Sequence, residues 1–154
     1  MSERVRVHTG GCQCGAVRYA LYAEPTGASI CHCRMCQKAV GGYFGAFAGV
    51  PLQAFAWTRG TPGVFHSSEG AERGFCRDCG TPLYFRYIDR DRISVSLGSL
   101  DAPERIKPEK QFGLEGRLPW LREILDLPGT RTEDDVPPEA LERLISRQHP
   151  DHDT

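Results

Sequence analysis

The sequence predicts a mainly β domain, and three observations carry that prediction. Apolar and aromatic residues fall in short runs that alternate with period two. Turn residues cut those runs at close intervals, with 17 glycines and 11 prolines among 154 residues. The one apolar stripe with helical period is confined to the C-terminal end.

Residues 16–23 form the first predicted strand. Val17, Tyr19 and Leu21 alternate there with Arg18, Ala20 and Tyr22, as a half-buried strand requires. Residues 44–50 and 54–57 are apolar, aromatic runs divided by Pro51. Val64-Phe65, residues 83–87 and residues 93–97 continue the series; in the last, Ile93, Val95 and Leu97 alternate with Ser94 and Ser96. Gly60-Thr61-Pro62-Gly63 and Gly98-Ser99 are the turns between runs. A helical turn is placed from Cys36 through Ala39.

Pro128-Gly129 ends this pattern, so the predicted domain spans residues 1–127. Residues 128–154 read as an acidic, proline-bearing linker, a short helix and a disordered tail at 148–154. The helix begins in Pro137-Pro138-Glu139-Ala140-Leu141, with prolines in its first turn. Leu141, Leu144 and Ile145 give it one narrow apolar face, expected to pack on the domain or on a partner.

The charge balance excludes some functions. Lys and Arg number 19 against 20 Asp and Glu, and a net charge of −1 leaves no general electrostatic footprint for nucleic acid or anionic lipid. No stretch approaches the roughly 18 apolar residues of a membrane span. Residues 1–11 lack the apolar centre of a secretion signal. The expectation is a soluble, cytoplasmic protein that binds neither nucleic acid nor membrane.

The seven cysteines are the informative part of the composition, and all lie between Cys12 and Cys79. An odd number cannot all pair within the chain, and a reducing cytosol disfavours a disulfide framework. They are arranged as Cys12-x-Cys14-Gly15, Cys31-x-Cys33-x-x-Cys36 and Cys76-x-x-Cys79-Gly80. In an extended C-x-C both sulfurs lie on one face, which suits a shared metal. C-x-x-C followed by Gly is the turn of a zinc knuckle: backbone N–H groups point at the sulfurs, and the Gly takes the positive φ needed to turn away.

Four thiolates complete a tetrahedral shell, so Cys12, Cys14, Cys76 and Cys79 can form a closed structural zinc site. Cys31, Cys33 and Cys36 then remain, and three ligands with one open position is the pattern of a catalytic zinc. Spacing alone also permits a ribbon of Cys33, Cys36, Cys76 and Cys79. Three thiolates on Zn²⁺ leave a site of charge about −1, a weak Lewis acid suited to exchange with an incoming thiolate. Sulfur chemistry is therefore expected ahead of peptide-type hydrolysis.

The ordered motifs resemble the glutathione-dependent formaldehyde-activating enzyme family, which includes the centromere protein V group. The matching segments begin with Gly10-Gly11-Cys12-Gln13-Cys14-Gly15-Ala16-Val17-Arg18-Tyr19 and Cys31-His32-Cys33-Arg34-Met35-Cys36, followed by Gly41 and Phe44. Arg59-Gly60, Phe65 and Ser67-Ser68 come next, then Arg73-Gly74-Phe75-Cys76-Arg77-Asp78-Cys79-Gly80-Thr81-Pro82-Leu83. Val95-Ser96-Leu97-Gly98-Ser99-Leu100-Asp101 and Leu118-Pro119-Trp120 complete the resemblance, which covers about residues 8–121.

It implies a β-tent fold of short antiparallel strands, a carbon–sulfur lyase class and glutathione or a similar small thiol as partner. It also implies the four-plus-three division, with two Zn²⁺ per chain: one structural, at Cys12, Cys14, Cys76 and Cys79, and one catalytic or labile, at Cys31, Cys33 and Cys36. The family's reaction joins formaldehyde to the glutathione thiol, giving S-hydroxymethylglutathione. Family members often carry a His where Gln111 stands in Pro108-Glu109-Lys110-Gln111-Phe112. The alternative reading is a non-catalytic zinc module for a protein or small-thiol ligand.

Other polar residues have plainer readings. His32 points away from the sulfurs of an extended C-x-C, so it is read as a neighbour of the site and not a ligand. His66 is read as surface, with a pocket role as the alternative. His8, His149 and His152 are read as solvated. Ser94, Ser96 and Ser99 are the polar face of a strand, or else line a ligand pocket. Arg59 and Arg73 could pair with glutathione carboxylates; surface ion pairs are the simpler expectation. Phe55, Trp57, Phe65 and Phe85 are read as core.

Overall fold

The computed structural model describes residues 4–153. Met1, Ser2 and Glu3 of the predicted domain, and Thr154 of the predicted tail, lie outside them. The described residues form ten strands: β1 (His8–Gly11), β2 (Arg18–Leu21), β3 (Thr26–Cys31), β4 (Gly45–Pro51), β5 (Phe55–Arg59), β6 (Gly63–Ser68), β7 (Ala71–Phe75), β8 (Pro82–Tyr87), β9 (Arg92–Ser96) and β10 (Lys110–Phe112). Helix α1 (Arg34–Val40) lies between β3 and β4, and two one-turn helices, α2 (Thr132–Asp135) and α3 (Pro138–Leu141), lie near the end. The fold is thus mainly β, as predicted, with α3 where the short C-terminal helix is expected and α2 in the stretch read as a linker.

The strands make two sheets. The smaller has the order β1-β2-β5 and the larger β10-β3-β4-β9-β8-β7-β6. Every pairing is antiparallel except β10 with β3, which sets Gln111 opposite Ile30 and Phe112 opposite Cys31. One apolar cluster unites the sheets. Val17, Tyr19 and Leu21 from the smaller sheet meet Ala48, Val50, Leu83, Ile93 and Val95 from the larger, with Phe55 and Trp57 packed against them. Burying a side chain such as Leu21 or Leu83 contributes roughly 1.5–3 kcal/mol.

β2 departs from simple alternation, because all four of its residues are buried. It is the middle strand of its sheet, and Arg18 is covered on the face that solvent would otherwise wet: both of its terminal nitrogens donate to Asp101, at 2.8 and 2.6 Å. Thr9 donates to the same carboxylate. β1, β3, β7 and β10 lie where the sequence analysis placed no strand. They are short, and Gly, Thr, Ser or charged residues weaken their alternation; β1, β3 and β7 pair with strands next to them in the chain, and β10 pairs with the distant β3.

Three other expectations are corrected. Helix α1 begins at Arg34, two residues before Cys36, because Cys33 serves as its N-cap: its sulfur accepts the Cys36 N–H. The C-terminal apolar stripe packs on the domain only in part: Leu141 is half-buried while Leu144 and Ile145 are exposed, and α3 gives way after one turn to a 3₁₀ turn. The tail does not hang free. Gln13 Nε2 donates to Gln148 Oε1 at 3.0 Å, the His149 N–H donates to the Gln13 carbonyl at 2.8 Å, Arg18 donates to the His152 carbonyl at 3.0 Å, and Arg6 pairs with Asp153.

Candidate functional site

Two sulfur clusters assemble on this frame. β1 ends at Gly11, and the chain then makes a turn in which the Gly15 N–H donates to the Cys12 carbonyl. Cys12 and Cys14 therefore sit on a turn, where the sequence analysis assumed an extended segment. The second knuckle follows β7. The Cys76 N–H donates to the Thr81 carbonyl and the Gly80 N–H to the Cys76 carbonyl. Gly15 and Gly80 take φ values of 78° and 77°, the left-handed turn expected after a knuckle cysteine. A side chain at Gly15 would also collide with the His149 ring.

The sulfurs of Cys12, Cys14, Cys76 and Cys79 all lie within 4.8 Å of one another. Cys12 and Cys14 are 3.6 Å apart, and Cys14 and Cys76 are 3.8 Å apart. Sulfurs on a tetrahedral zinc at ~2.3 Å would sit about 3.8 Å from each other, so the cage fits that ion. The Val17 N–H and the Thr81 hydroxyl donate to the sulfurs of Cys12 and Cys79. Burial alone would raise the Cys79 thiol, but the Thr81 hydroxyl and the backbone N–H groups of Thr81 and Cys14 outweigh it and bring it down to about 6. At Cys14 the Ala16 N–H lowers the thiol, yet desolvation and the surrounding thiols win and push it up to about 12. Crowded sulfurs cannot all ionise without a cation among them.

The second cluster is Cys31 at the end of β3, Cys33 at the N-cap of α1 and Cys36 in its first turn, again with sulfurs within 4.8 Å. The alternative ribbon of Cys33, Cys36, Cys76 and Cys79 does not assemble, since each pair joins a different cluster. Burial, with the thiols of Cys33 and Cys36, pushes Cys31 up to about 12. Burial also acts upward on Cys33, but the Cys36 N–H, the neighbouring thiols and Arg73 outweigh it, and the net shift is downward.

The residues around this trio hold it in place. His32 is fully buried, edge-on to Phe44, with its Nε2 2.9 Å from Gln111 Oε1. Buried Gln37 donates to the carbonyls of His32 and Gly116. Gly113, at φ 64°, lies so close that a Cβ there would stand 2.7 Å from the Cys33 nitrogen. Beside α1 runs a groove of about 430 Å³ lined by Arg34, Met35, Lys38, Phe65, Ser67 and Arg73. A second hollow of about 250 Å³, whose lining includes Phe47, Tyr84 and Ser96, shares Phe65 and Arg73 with it.

The remaining predicted residues divide. Phe65 is 62% exposed, not core, because it walls the groove from the edge strand β6. Phe55, Trp57 and Phe85 are half-buried. His8 is buried, with Nε2 2.9 Å from Glu24, and His149 is half-buried against Gly15; both were read as solvated. His152 and His66 are exposed. Ser99 is buried and bonded to Tyr19 and the Ser96 carbonyl. Ser96 lines the hollow, with its Oγ buried and without a hydrogen-bond partner among the described residues. Arg59 is exposed and donates to the Gly15 carbonyl. Arg73, read as a surface residue, is buried and donates to Cys36 Sγ at 3.5 Å. Strand alternation along β7 was its only signal in the sequence, and β7 was not recognised there as a strand.

Residues 7–115 match the family described as glutathione-dependent formaldehyde-activating enzyme. The chain belongs to that family. The match contains all seven cysteines and both clusters. Among curated relatives of this formaldehyde-activating enzyme family member is a Schizosaccharomyces pombe protein named as an uncharacterized lyase. It is 35% identical over 82 residues, which cover 53% of this chain and 59% of that one. The chain thus spans less than two thirds of that relative's length. The crystal structure of a Rhodobacter sphaeroides protein is similar in fold, with a TM-score of 0.55 at 22% identity, covering 67% of this chain and 98% of the other. No helix among the described residues is long and apolar enough to cross a membrane.

Proposed function

We propose that the protein is a zinc-dependent enzyme of the carbon–sulfur lyase type. It acts on a thiol adduct of the glutathione–formaldehyde kind, with the site at Cys31, Cys33 and Cys36. The observation that carries this reading is the division of the cysteines: one cage has four sulfurs and is complete, and the other has three, with Arg73, which donates to Cys36 Sγ, lining the groove beside α1. Family membership and the lyase name of the yeast relative support the reaction class.

Cys12, Cys14, Cys76 and Cys79 would hold a structural zinc that ties the β1 turn to the β7 turn. Cys31, Cys33 and Cys36 would hold the second, which when bound supplies an electrophilic position for a substrate sulfur. The chain's own residues do the rest. α1 and the Gly113 contact fix the three sulfurs, Phe65 and Met35 wall the approach, and exposed Arg34 and Lys38 place positive charge along the groove for an acidic thiol. Gln111 is engaged with His32, so in this chain that position secures the backbone between Cys31 and Cys33.

Turnover of a thiol with small aldehydes, wild type against Cys31→Ser, tests the proposal. Loss of at least about 100-fold is expected if the trio is the reaction site. Equal rates would exclude it. Metal analysis of freshly reduced protein should give two zinc ions per chain, of which Cys31→Ser loses one.

A further inference from the structure

Arg73 is an unusual cation for this molecule. It is 8% exposed, yet among the described residues no carboxylate lies within ion-pair distance of it. Its neighbour Glu72 is committed elsewhere, to Arg86 at 3.3 Å and to the Tyr84 hydroxyl at 3.1 Å. The Arg73 guanidinium lies over the Phe85 ring, 5.0 Å from its centre, and its Nε meets no acceptor among the described residues. Its one side-chain hydrogen bond goes to Cys36 Sγ. A buried charge needs a compensating partner, and among the described residues the sulfur trio, once its thiols are ionised, is the group against this one that can supply it.

We propose that Arg73 is the counter-cation of the three-sulfur site, and that its charge lets the site accept a fourth, substrate-borne thiolate. The charge arithmetic favours this assignment. Three thiolates around a divalent ion carry a net charge of −1, and the guanidinium brings the group to zero. An incoming thiolate then makes it −1, where without Arg73 it would be −2 in a half-buried setting. An arginine suits the task because it keeps its charge under all physiological conditions and is more weakly hydrated than a lysine. Arg34 and Lys38 cannot substitute, because both are exposed and solvent screens them. Arg73 is thus a positioning residue that acts through Cys36. This inference rests on the proposed function for the incoming thiolate, but the counter-cation role can be read without it.

The test uses the full chain loaded with cobalt(II), whose absorption reports the sulfur shell. It is titrated with glutathione and with 2-mercaptoethanol, which has no carboxylate. Arg73→Met removes the charge, Arg73→Gln removes it while keeping an N–H donor for Cys36, and Arg73→Lys keeps it. Losing one member of a buried charge pair should weaken binding of both thiols by roughly 30-fold or more in the Met and Gln variants. Arg73→Lys should recover most of that loss. If the Met variant fails to fold, the Gln variant still gives the reading. Weakened binding of glutathione alone would make Arg73 a carboxylate receptor and overturn the proposal, as would wild-type affinities throughout. If the wild type itself ignores both thiols, the proposed function falls. The counter-cation role is then decided by zinc competition against a chelator: a loss of about tenfold at the three-sulfur site supports it, and unchanged zinc affinity overturns it.

Discussion

His32 Nε2 lies 2.9 Å from Gln111 Oε1, across the parallel pairing of β3 and β10. The ring, on the residue between Cys31 and Cys33 in the sequence, is fully buried, and among the described residues this is its side-chain hydrogen bond. The His32 N–H also donates to the Phe112 carbonyl, so β10 holds the segment by backbone and side chain together.

Gln111→Ala should therefore cost about 1–3 kcal/mol, the penalty of leaving a buried N–H without an acceptor. Denaturant unfolding of metal-loaded protein measures it. A variant as stable as wild type would mean that the bond contributes nothing.

The two clusters should differ sharply on loss of a sulfur. Structural zinc contributes ~10–16 kcal/mol in small metal-bound domains, as much as the ~5–15 kcal/mol that holds a whole domain folded. Cys76→Ser should abolish the cooperative thermal transition seen by circular dichroism. Cys36→Ser should keep a transition and lose one metal ion.

The Arg18–Asp101 pair predicts a pH dependence. Burial alone would raise the Asp101 carboxyl, but the Arg18 and Thr9 hydrogen bonds outweigh it and hold it below the usual carboxylate range. The stability it contributes is complete above the unfolded value of about 3.9 and is lost as pH falls through the lower folded value. Asp101→Asn should cost about 3–5 kcal/mol at neutral pH, since Arg18 is left buried and unpaired. Melting curves from pH 7 down to pH 2 should show the gap between wild type and variant closing only in the acid range. A gap that is constant with pH would contradict the pairing.

Removing residues 148–154 should destabilise the chain modestly. The tail's three hydrogen bonds to Gln13 and Arg18 are worth roughly 0.5–1.5 kcal/mol each. A fall of about 3–18 °C in melting temperature follows for a chain of this length. Zinc release from the four-cysteine site should also quicken, because Gln13 sits between two of its ligands. An unchanged melting point would show that the tail does not hold.

Short-range chemistry was legible from the residues alone. The strands at residues 83–87 and 93–97 announce themselves by alternation, the knuckle glycines Gly15 and Gly80 by the turn that a metal-holding cysteine needs, and the sulfur motifs by their spacing. Each depends on residues a few positions apart, where backbone sterics and side-chain period decide. The partners of those elements were a different matter. Tertiary structure alone decided that β10 would shelter His32, that Arg73 would turn inward to Cys36, that Phe65 would stand at a groove wall, and that the tail would close over Gly15. Each of those contacts joins segments more than twenty residues apart. Their formation depends on which surfaces the packed sheets bring together, a property of the whole chain that no local pattern encodes.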